Sequence, residues 1–130
     1  MTASPLKKIL VVEDDPDIQL VARIALETVG GLTVETCGSG QEAIQVAPRF
    51  GPDLILLDVM MPEMDGPTTL QHLRADPALA ATPVVFCTAK AMPTELEHYR
   101  NLGSAGVIAK PFDPMALADQ IREIWNNRHG

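Results

Sequence analysis

Five short apolar runs, each followed by a segment with helical character, constrain the fold of this chain most strongly. The runs at residues 9–12 and 54–57 are apolar at every position, which is typical of strands buried on both faces of a parallel sheet. The predicted strands are residues 8–12, 32–36, 53–57, 83–87 and 106–109. The pattern predicts an α/β fold of five βα units, with helices on both faces of a five-stranded parallel sheet.

The segments between the strands contain helix signals. Asp15 and Pro16 predict the start of the first helix, which Gly30 and Gly31 would end. The spacing of Ser39 and Glu42 predicts a capping box for the second helix. The apolar faces would comprise Ile18, Val21, Ala22, Ala25 and Val29 in the first helix, Leu96, Tyr99 and Leu102 in the fourth, and Leu117, Ala118, Ile121, Ile124 and Trp125 in the fifth.

Polar residues follow four of the predicted strands. They are Glu13, Asp14 and Asp15 after the first strand, Asp58 after the third, Thr88 after the fourth and Lys110 after the fifth. Ligands of open α/β sheets bind beyond the carboxyl ends of the strands. If the first, third, fourth and fifth strands are neighbours, these side chains would gather at one edge of the sheet.

Each of these residues also has an ordinary structural interpretation. Asp15 precedes a proline, so we interpret it as a helix cap rather than a metal ligand. Threonine is common in strands, so Thr88 could be an ordinary strand residue, and Lys110 could extend along the surface with its charge in water. Asp58 is harder to explain in this way, because a carboxylate beside a buried run normally needs a partner. Their joint placement favours a functional site.

The chemistry of this set suits phosphoryl transfer. Carboxylates can accept phosphoryl groups, and crowded carboxylate oxygens are suitable ligands for Mg²⁺. Lys110 and Thr88 would supply a positive charge and a hydrogen-bond donor for phosphoryl oxygens. Phosphoryl transfer mainly requires positioning and charge neutralisation, which these residues could provide.

Composition limits the other classes of function. The net charge of −7 argues against nucleic acid as a direct partner, because phosphate backbones attract clustered Lys and Arg. Two cysteines, Cys37 and Cys87, are too few for a disulfide scaffold or a four-thiolate zinc site, and we expect buried free thiols. No apolar run could cross a bilayer, and the N-terminus lacks a signal-peptide core. We therefore expect one cytoplasmic domain without membrane partners.

Four blocks of the sequence closely resemble the receiver domain of two-component response regulators. They are ILVVEDDP at residues 9–16, DLILLDVMMPEMDG at 53–66, TA at 88–89 and KPF at 110–112. The resemblance covers about residues 7–126. It implies a flavodoxin-like, three-layer (βα)5 fold with strand order 2-1-3-4-5. It also implies a signalling switch rather than an enzyme, one that catalyses only its own phosphorylation and dephosphorylation.

The resemblance also implies roles for the residues at the strand ends. Asp58 would accept a phosphoryl group from a phosphohistidine of a sensor histidine kinase or a histidine phosphotransfer protein. Mg²⁺ would be held by Asp14, Asp58 and the backbone carbonyl of Met60, while Glu13 would orient a metal-bound water. Thr88 and Lys110 would contact the phosphoryl group, together with the backbone N–H groups near Met60 and Ala89.

Three further expectations follow from the resemblance. Pro111 would follow a cis peptide bond, and Pro62 and Gly66 would shape the loop after the acceptor. The family often has an aromatic switch residue in strand five, but this chain has Val107 there, so its output would use the loop after Thr88 or a different side chain.

We expect a stand-alone receiver without a further domain, which would act by binding an unidentified downstream protein. A receiver cut from a larger regulator would have the same sequence. Onward relay of the phosphoryl group is the alternative. A magnesium-dependent phosphatase with an aspartate nucleophile would need a second Asp where Met60 stands. A flavodoxin-like FMN carrier would need a phosphate-binding loop where Glu13, Asp14 and Asp15 stand. A degenerate receiver would not need the intact set of acids, Thr and Lys.

Overall fold

A single sheet of five parallel strands forms the centre of the computed structural model, which describes residues 5–129. The strands are β1 (Lys8–Val12), β2 (Thr33–Cys37), β3 (Leu54–Asp58), β4 (Val84–Thr88) and β5 (Gly106–Ala109). Their order is β2-β1-β3-β4-β5, as the resemblance implied. Every residue of β3 and β4 is buried, because both faces of these central strands are covered by helices. The flavodoxin-like (βα)5 fold is confirmed.

Three strands lie one residue further along the chain than predicted, namely β2, β3 and β4. Asp53, the predicted first residue of β3, lies outside the strand. Its carboxylate accepts hydrogen bonds from the backbone N–H groups of Lys7 and Lys8. At the other end, strand pairing is a backbone interaction, so it continues into polar residues. Asp58 and Thr88 are therefore the last residues of β3 and β4 rather than the first residues of the loops.

Helices follow each strand. They are α1 (Pro16–Arg23), continued by a π-helical segment (Ile24–Val29), α2 (Gly40–Phe50), α3 (Gly66–Ala75), α4 (Pro93–Asn101) and α5 (Leu117–His129). The predicted caps are present: Asp15 accepts from the N–H of Asp17, and Ser39 accepts from the N–H of Glu42. The carboxylate of Glu42 reaches back to the N–H of Gly38, which completes a variant of the capping box.

The predicted apolar face of the first helix is partly wrong. Val21 and Val29 are 37% and 42% exposed, whereas Leu26 is fully buried. Val21 precedes the π-helical segment, so that segment accounts only for Leu26 and Val29. Within it, the N–H of Gly30 bonds to the carbonyl of Ala25, five residues earlier. The wider turn rotates the residues after Arg23 away from a 3.6-residue period. None of the helices in the described residues is long and apolar enough to span a bilayer.

Two apolar cores lie on opposite faces of the sheet. One contains α1, the π-helical segment and α5, and the other contains α2 and α3, with Tyr99 of α4 at its border. The predicted face of α5 is confirmed, since Leu117, Ala118, Ile121 and Trp125 are buried. The predicted stripe of α4 is weaker than expected. Leu96 and Tyr99 are half-buried, and Leu102 is exposed at the helix end.

Candidate functional site at the carboxyl edge of the sheet

The polar residues predicted to gather at one edge lie at the carboxyl ends of neighbouring strands. Asp58 ends β3, Thr88 ends β4, Glu13 directly follows β1 and Lys110 directly follows β5. The order β1-β3-β4-β5 makes these four strands adjacent. Their parallel direction brings all four carboxyl ends to the same edge, where α/β folds bind ligands.

Glu13, Asp58 and Lys110 form a buried charged triad. The ammonium Nζ of Lys110 lies 2.5 Å from Oε1 of Glu13 and 2.9 Å from Oδ1 of Asp58. Both acids are only 2% exposed. Removing charges from water is costly unless they are paired, so the position of the lysine between the two carboxylates stabilises an arrangement that would otherwise be repulsive.

Burial changes the protonation chemistry of this triad. It raises the pKa of Glu13 to about 7, because desolvation and the nearby Asp58 outweigh the hydrogen bonds from Lys110 and from the N–H of Asp15. Burial alone would lower the pKa of Lys110, but its hydrogen bonds to Glu13 and Asp58 raise that pKa above the ordinary value. Lys110 is therefore a permanent positive charge in the site.

The other two acids after β1 differ from Glu13. Asp15 caps α1, as predicted, through the 2.9 Å bond from the N–H of Asp17 to its Oδ1. Asp14 is exposed, and among the described contacts none joins it to Asp58. Glu13 is fixed further by Gln19, whose side-chain amide donates to the backbone carbonyl of Glu13 at 2.5 Å. Gln19 was not among the predicted site residues.

Of the loop residues predicted to surround the acceptor, Met60 lies next to it and Ala89 follows the end of β4. The N–H of Met60 is 3.4 Å from Oδ1 of Asp58, and the side chain of Met60 is 74% exposed. Ala89 is exposed directly after Thr88. The hydroxyl of Thr88 accepts a 3.0 Å hydrogen bond from the N–H of Lys90, which closes a tight turn at the start of the next loop.

Two backbone features that the family resemblance implied are present around the site, at Pro111 and at Gly66. The Lys110–Pro111 peptide bond is cis. Gly66 closes the loop after Asp58 with its N–H on the carbonyl of Val59, and a Cβ at this position would lie 2.5 Å from the carbonyl oxygen of Asp58. Only glycine fits this close approach without moving the strand end.

Cys87 lies beside the site, which the sequence reasoning did not predict. It is the register partner of Asp58 across β3 and β4, and its sulfur lies within 4.8 Å of carboxylate oxygens of Asp58 and Glu13. Burial raises the pKa of this thiol above its ordinary range, so Cys87 is uncharged. The sequence shows that Cys87 immediately precedes Thr88, but only the register of β3 and β4 shows that it lies beside Asp58. Both cysteines are free and buried, as expected.

The donor set fits a hard divalent cation. Glu13 and Asp58 offer buried carboxylate oxygens, and exposed Asp14 lies directly after Glu13 in the chain. Such oxygen ligands, with space left for water, are typical of Mg²⁺ sites. The thiol of Cys87 lies within 4.8 Å of these acids and is a softer group than their carboxylates.

Comparison with known proteins identifies the family. The model of the response regulator receiver domain matches residues 9–122. The chain is 39% identical over 94 residues to the probable transcriptional regulator ycf29 of Porphyra purpurea, covering 72% of this chain and 45% of the relative. It is 33% identical over 122 residues to the response regulator Rre1 of a Synechocystis strain, covering 94% and 52% respectively.

Solved structures agree with this assignment. The chemotaxis protein CheY4 of Vibrio cholerae superposes with a TM-score of 0.84 at 28% identity, over 92% of this chain and 99% of that one. The chain spans about half the length of the curated relatives that it matches. It belongs to the family of response regulator receiver domains, the signalling switches of two-component systems.

Proposed function

We propose that this chain is a phospho-accepting switch whose acceptor is Asp58. The observation that carries the proposal is the buried triad, in which Lys110 contacts both Asp58 and Glu13 at the carboxyl edge of the sheet. A buried carboxylate at the ligand-binding edge of the sheet, beside a fixed ammonium, suits the capture of a phosphoryl group.

In the proposed reaction, a carboxylate oxygen of Asp58 attacks the phosphorus of a phosphohistidine. The new O–P bond forms as the P–N bond breaks, and the imidazole of the donor leaves with the bonding electron pair and takes up a proton. Lys110 holds its charge near Asp58, where it would balance negative charge on the phosphoryl oxygens. The N–H of Met60 and the hydroxyl of Thr88 are positioned to contact other oxygens of that group.

We propose Mg²⁺ as the cofactor, held by Asp14, Asp58 and the carbonyl of Met60, with Glu13 nearby. When bound, the ion would supply additional positive charge to neutralise the phosphoryl oxygens. Asp14 is exposed, whereas Glu13 is held in place by Lys110, Gln19 and the N–H of Asp15. The three acids after β1 would therefore differ in function: Glu13 would orient Lys110 and a metal-bound water, Asp14 would be the metal ligand, and Asp15 caps α1.

A cavity of about 460 Å³ beside the site supports a sensor kinase or phosphotransfer protein as the donor. Its walls are almost wholly apolar and come from Ile18, Val21, Ala89, Pro111, Phe112 and Pro114, with Lys110 at the side of the triad. An apolar recess that includes a residue of the acceptor site can hold a protein surface while its phosphohistidine reaches Asp58. We attribute no DNA contact to these residues, because the chain has a net charge of −7.

Three variants test the proposal, with Asp15→Asn as the matched control for Asp14→Asn. Asp58→Asn should abolish labelling by radioactive acetyl phosphate in Mg²⁺, because the amide is not a nucleophile. Asp14→Asn should weaken Mg²⁺ binding by at least about tenfold, which corresponds to 1.4 kcal/mol. Asp15→Asn should leave Mg²⁺ affinity unchanged, since asparagine also caps helices well. Full labelling of Asp58→Asn would refute the acceptor, and equal calorimetric titrations for Asp14→Asn and Asp15→Asn would refute the ligand assignment.

A further inference from the structure

The contact between Tyr99 and Phe86 links α4 to the strand that ends in the site. The ring centroids are 5.2 Å apart with an interplanar angle of 55°, a tilted arrangement that aromatic pairs favour. Phe86 is fully buried in β4, two residues before Thr88. Val107 is the register partner of Phe86 in β5, and both Val107 and Tyr99 pack at the border of the same apolar core.

Phe86 has different neighbours on its strand side and its helix side. Val107, a short aliphatic residue, is its register partner in β5, and the half-buried ring of Tyr99 contacts it from α4. The aromatic group near Phe86 therefore belongs to α4 rather than to the sheet. A ring carried by a helix moves with that helix.

α4 is poorly anchored apart from this contact. It buries none of its residues completely, and its N-cap, Met92, makes no side-chain capping bond. The loop that leads into it is held at its start by the bond from the N–H of Lys90 to the hydroxyl of Thr88. A helix with few buried apolar groups and no cap is expected to shift at low free-energy cost.

We propose that Tyr99 is the positioning residue that holds α4 in its resting place against β4 and so opposes the switch, an inference that rests on the proposed phosphorylation of Asp58. If the Thr88 hydroxyl turns toward a phosphoryl oxygen, its bond to the N–H of Lys90 is strained or lost, and the loop before α4 moves. The helix can follow only if the Tyr99 ring leaves its present contact with Phe86. Tyr99 therefore opposes the switch, and its movement accompanies the switch.

Fluorine NMR offers a direct test, because Tyr99 is the only tyrosine in the chain. Protein labelled with fluorotyrosine gives a single ring resonance. Beryllofluoride, a phosphoryl mimic, should shift this resonance or add a second one in the presence of Mg²⁺. Asp58→Asn should show neither change. An unaltered resonance in wild-type protein that does accept phosphate from acetyl phosphate would overturn the inference but leave the proposed function intact. A wild-type protein that accepts no phosphate would contradict the proposed function itself.

Measurements of beryllofluoride affinity separate the specific role of Tyr99 from a general loosening of α4. Tyr99→Leu removes the ring and should tighten beryllofluoride binding by about fivefold or more, since the contact that opposes the switch is gone. Tyr99→Phe retains the ring and should bind as wild type does. Leu96→Ala, which weakens another half-buried contact of α4, is the control. Unchanged affinity in Tyr99→Leu, or equal tightening in Leu96→Ala, would reject the assignment to Tyr99.

Discussion

The helices α4 and α5 are attached to the molecule in different ways. α5 buries Leu117, Ala118, Ile121 and Trp125 against one face of the sheet, and Arg122 donates to the carbonyl of Gly30 at 2.5 Å. α4 has no fully buried residue. The difference teaches that the two acids of the triad lie at the ends of well-packed strands, β1 and β3, while the loop after Thr88 leads into a part that can move at low free-energy cost.

The largest expected effect compares one leucine from each helix. Leu117→Ala should lower the free energy of unfolding by about 3 kcal/mol, because Leu117 is completely buried and a cavity would remain. Leu96→Ala should cost less than about 1 kcal/mol, because the side chain is only half-buried. Urea unfolding of both variants measures the contrast. Equal losses would show that α4 is as firmly packed as α5.

A smaller effect is expected where α5 meets the π-helical segment. A Cβ on Gly30 would lie 2.7 Å from the Cβ of Ala118 and 2.8 Å from the carbonyl oxygen of Leu26. Gly30→Ala should therefore cost about 2 kcal/mol through overpacking.

The control for this prediction is a double-mutant cycle. The double variant Gly30→Ala/Ala118→Gly should lose about 1 kcal/mol less than the sum of the two single losses, because Ala118→Gly removes one of the two close contacts. If the losses in the free energy of unfolding were strictly additive, residue 30 and Ala118 of α5 would not be in energetically significant contact.

The smallest effect is a gain in stability on the α4 side. Ser104, in the turn between α4 and β5, is 9% exposed, and its hydroxyl is the one buried side-chain group without a hydrogen-bond partner in the described part of the chain. Ser104→Ala should raise the free energy of unfolding by about 1 kcal/mol. Ser39→Ala is the matched control and should lower it by about 1 kcal/mol, since Ser39 caps α2. A loss of stability in Ser104→Ala would mean that the hydroxyl has a partner.

The sheet could be predicted from the sequence because continuous apolar runs leave few alternatives to buried parallel strands. The ends of β3 and β4 could not be located to the residue, since backbone pairing extends to Asp58 and Thr88 regardless of side-chain polarity. The π-helical segment could not be predicted, because no pattern in the neighbouring residues indicates it. It is accompanied by close packing of Gly30 against Ala118 of α5, a contact between distant residues that helical periodicity does not report.

The positions of the site residues were predictable because four polar strand ends share one edge. The contacts that these side chains make with one another could not be predicted. The contact of Glu13 with Lys110 joins residues 97 positions apart and depends on the strand order, so no local pattern reports it. The approach of Cys87 to Asp58 likewise depends on the register of β3 and β4.

The central claim, that Asp58 is the phosphoryl acceptor, can be tested most directly by locating the modified residue. Acyl phosphates are reduced by borohydride, so treatment after incubation with acetyl phosphate and Mg²⁺ should convert the acceptor aspartate into homoserine. Peptide mass spectrometry should find homoserine at position 58 and leave Asp14 and Asp15 unchanged. Homoserine at position 14 or 15, with Asp58 intact, would contradict the account.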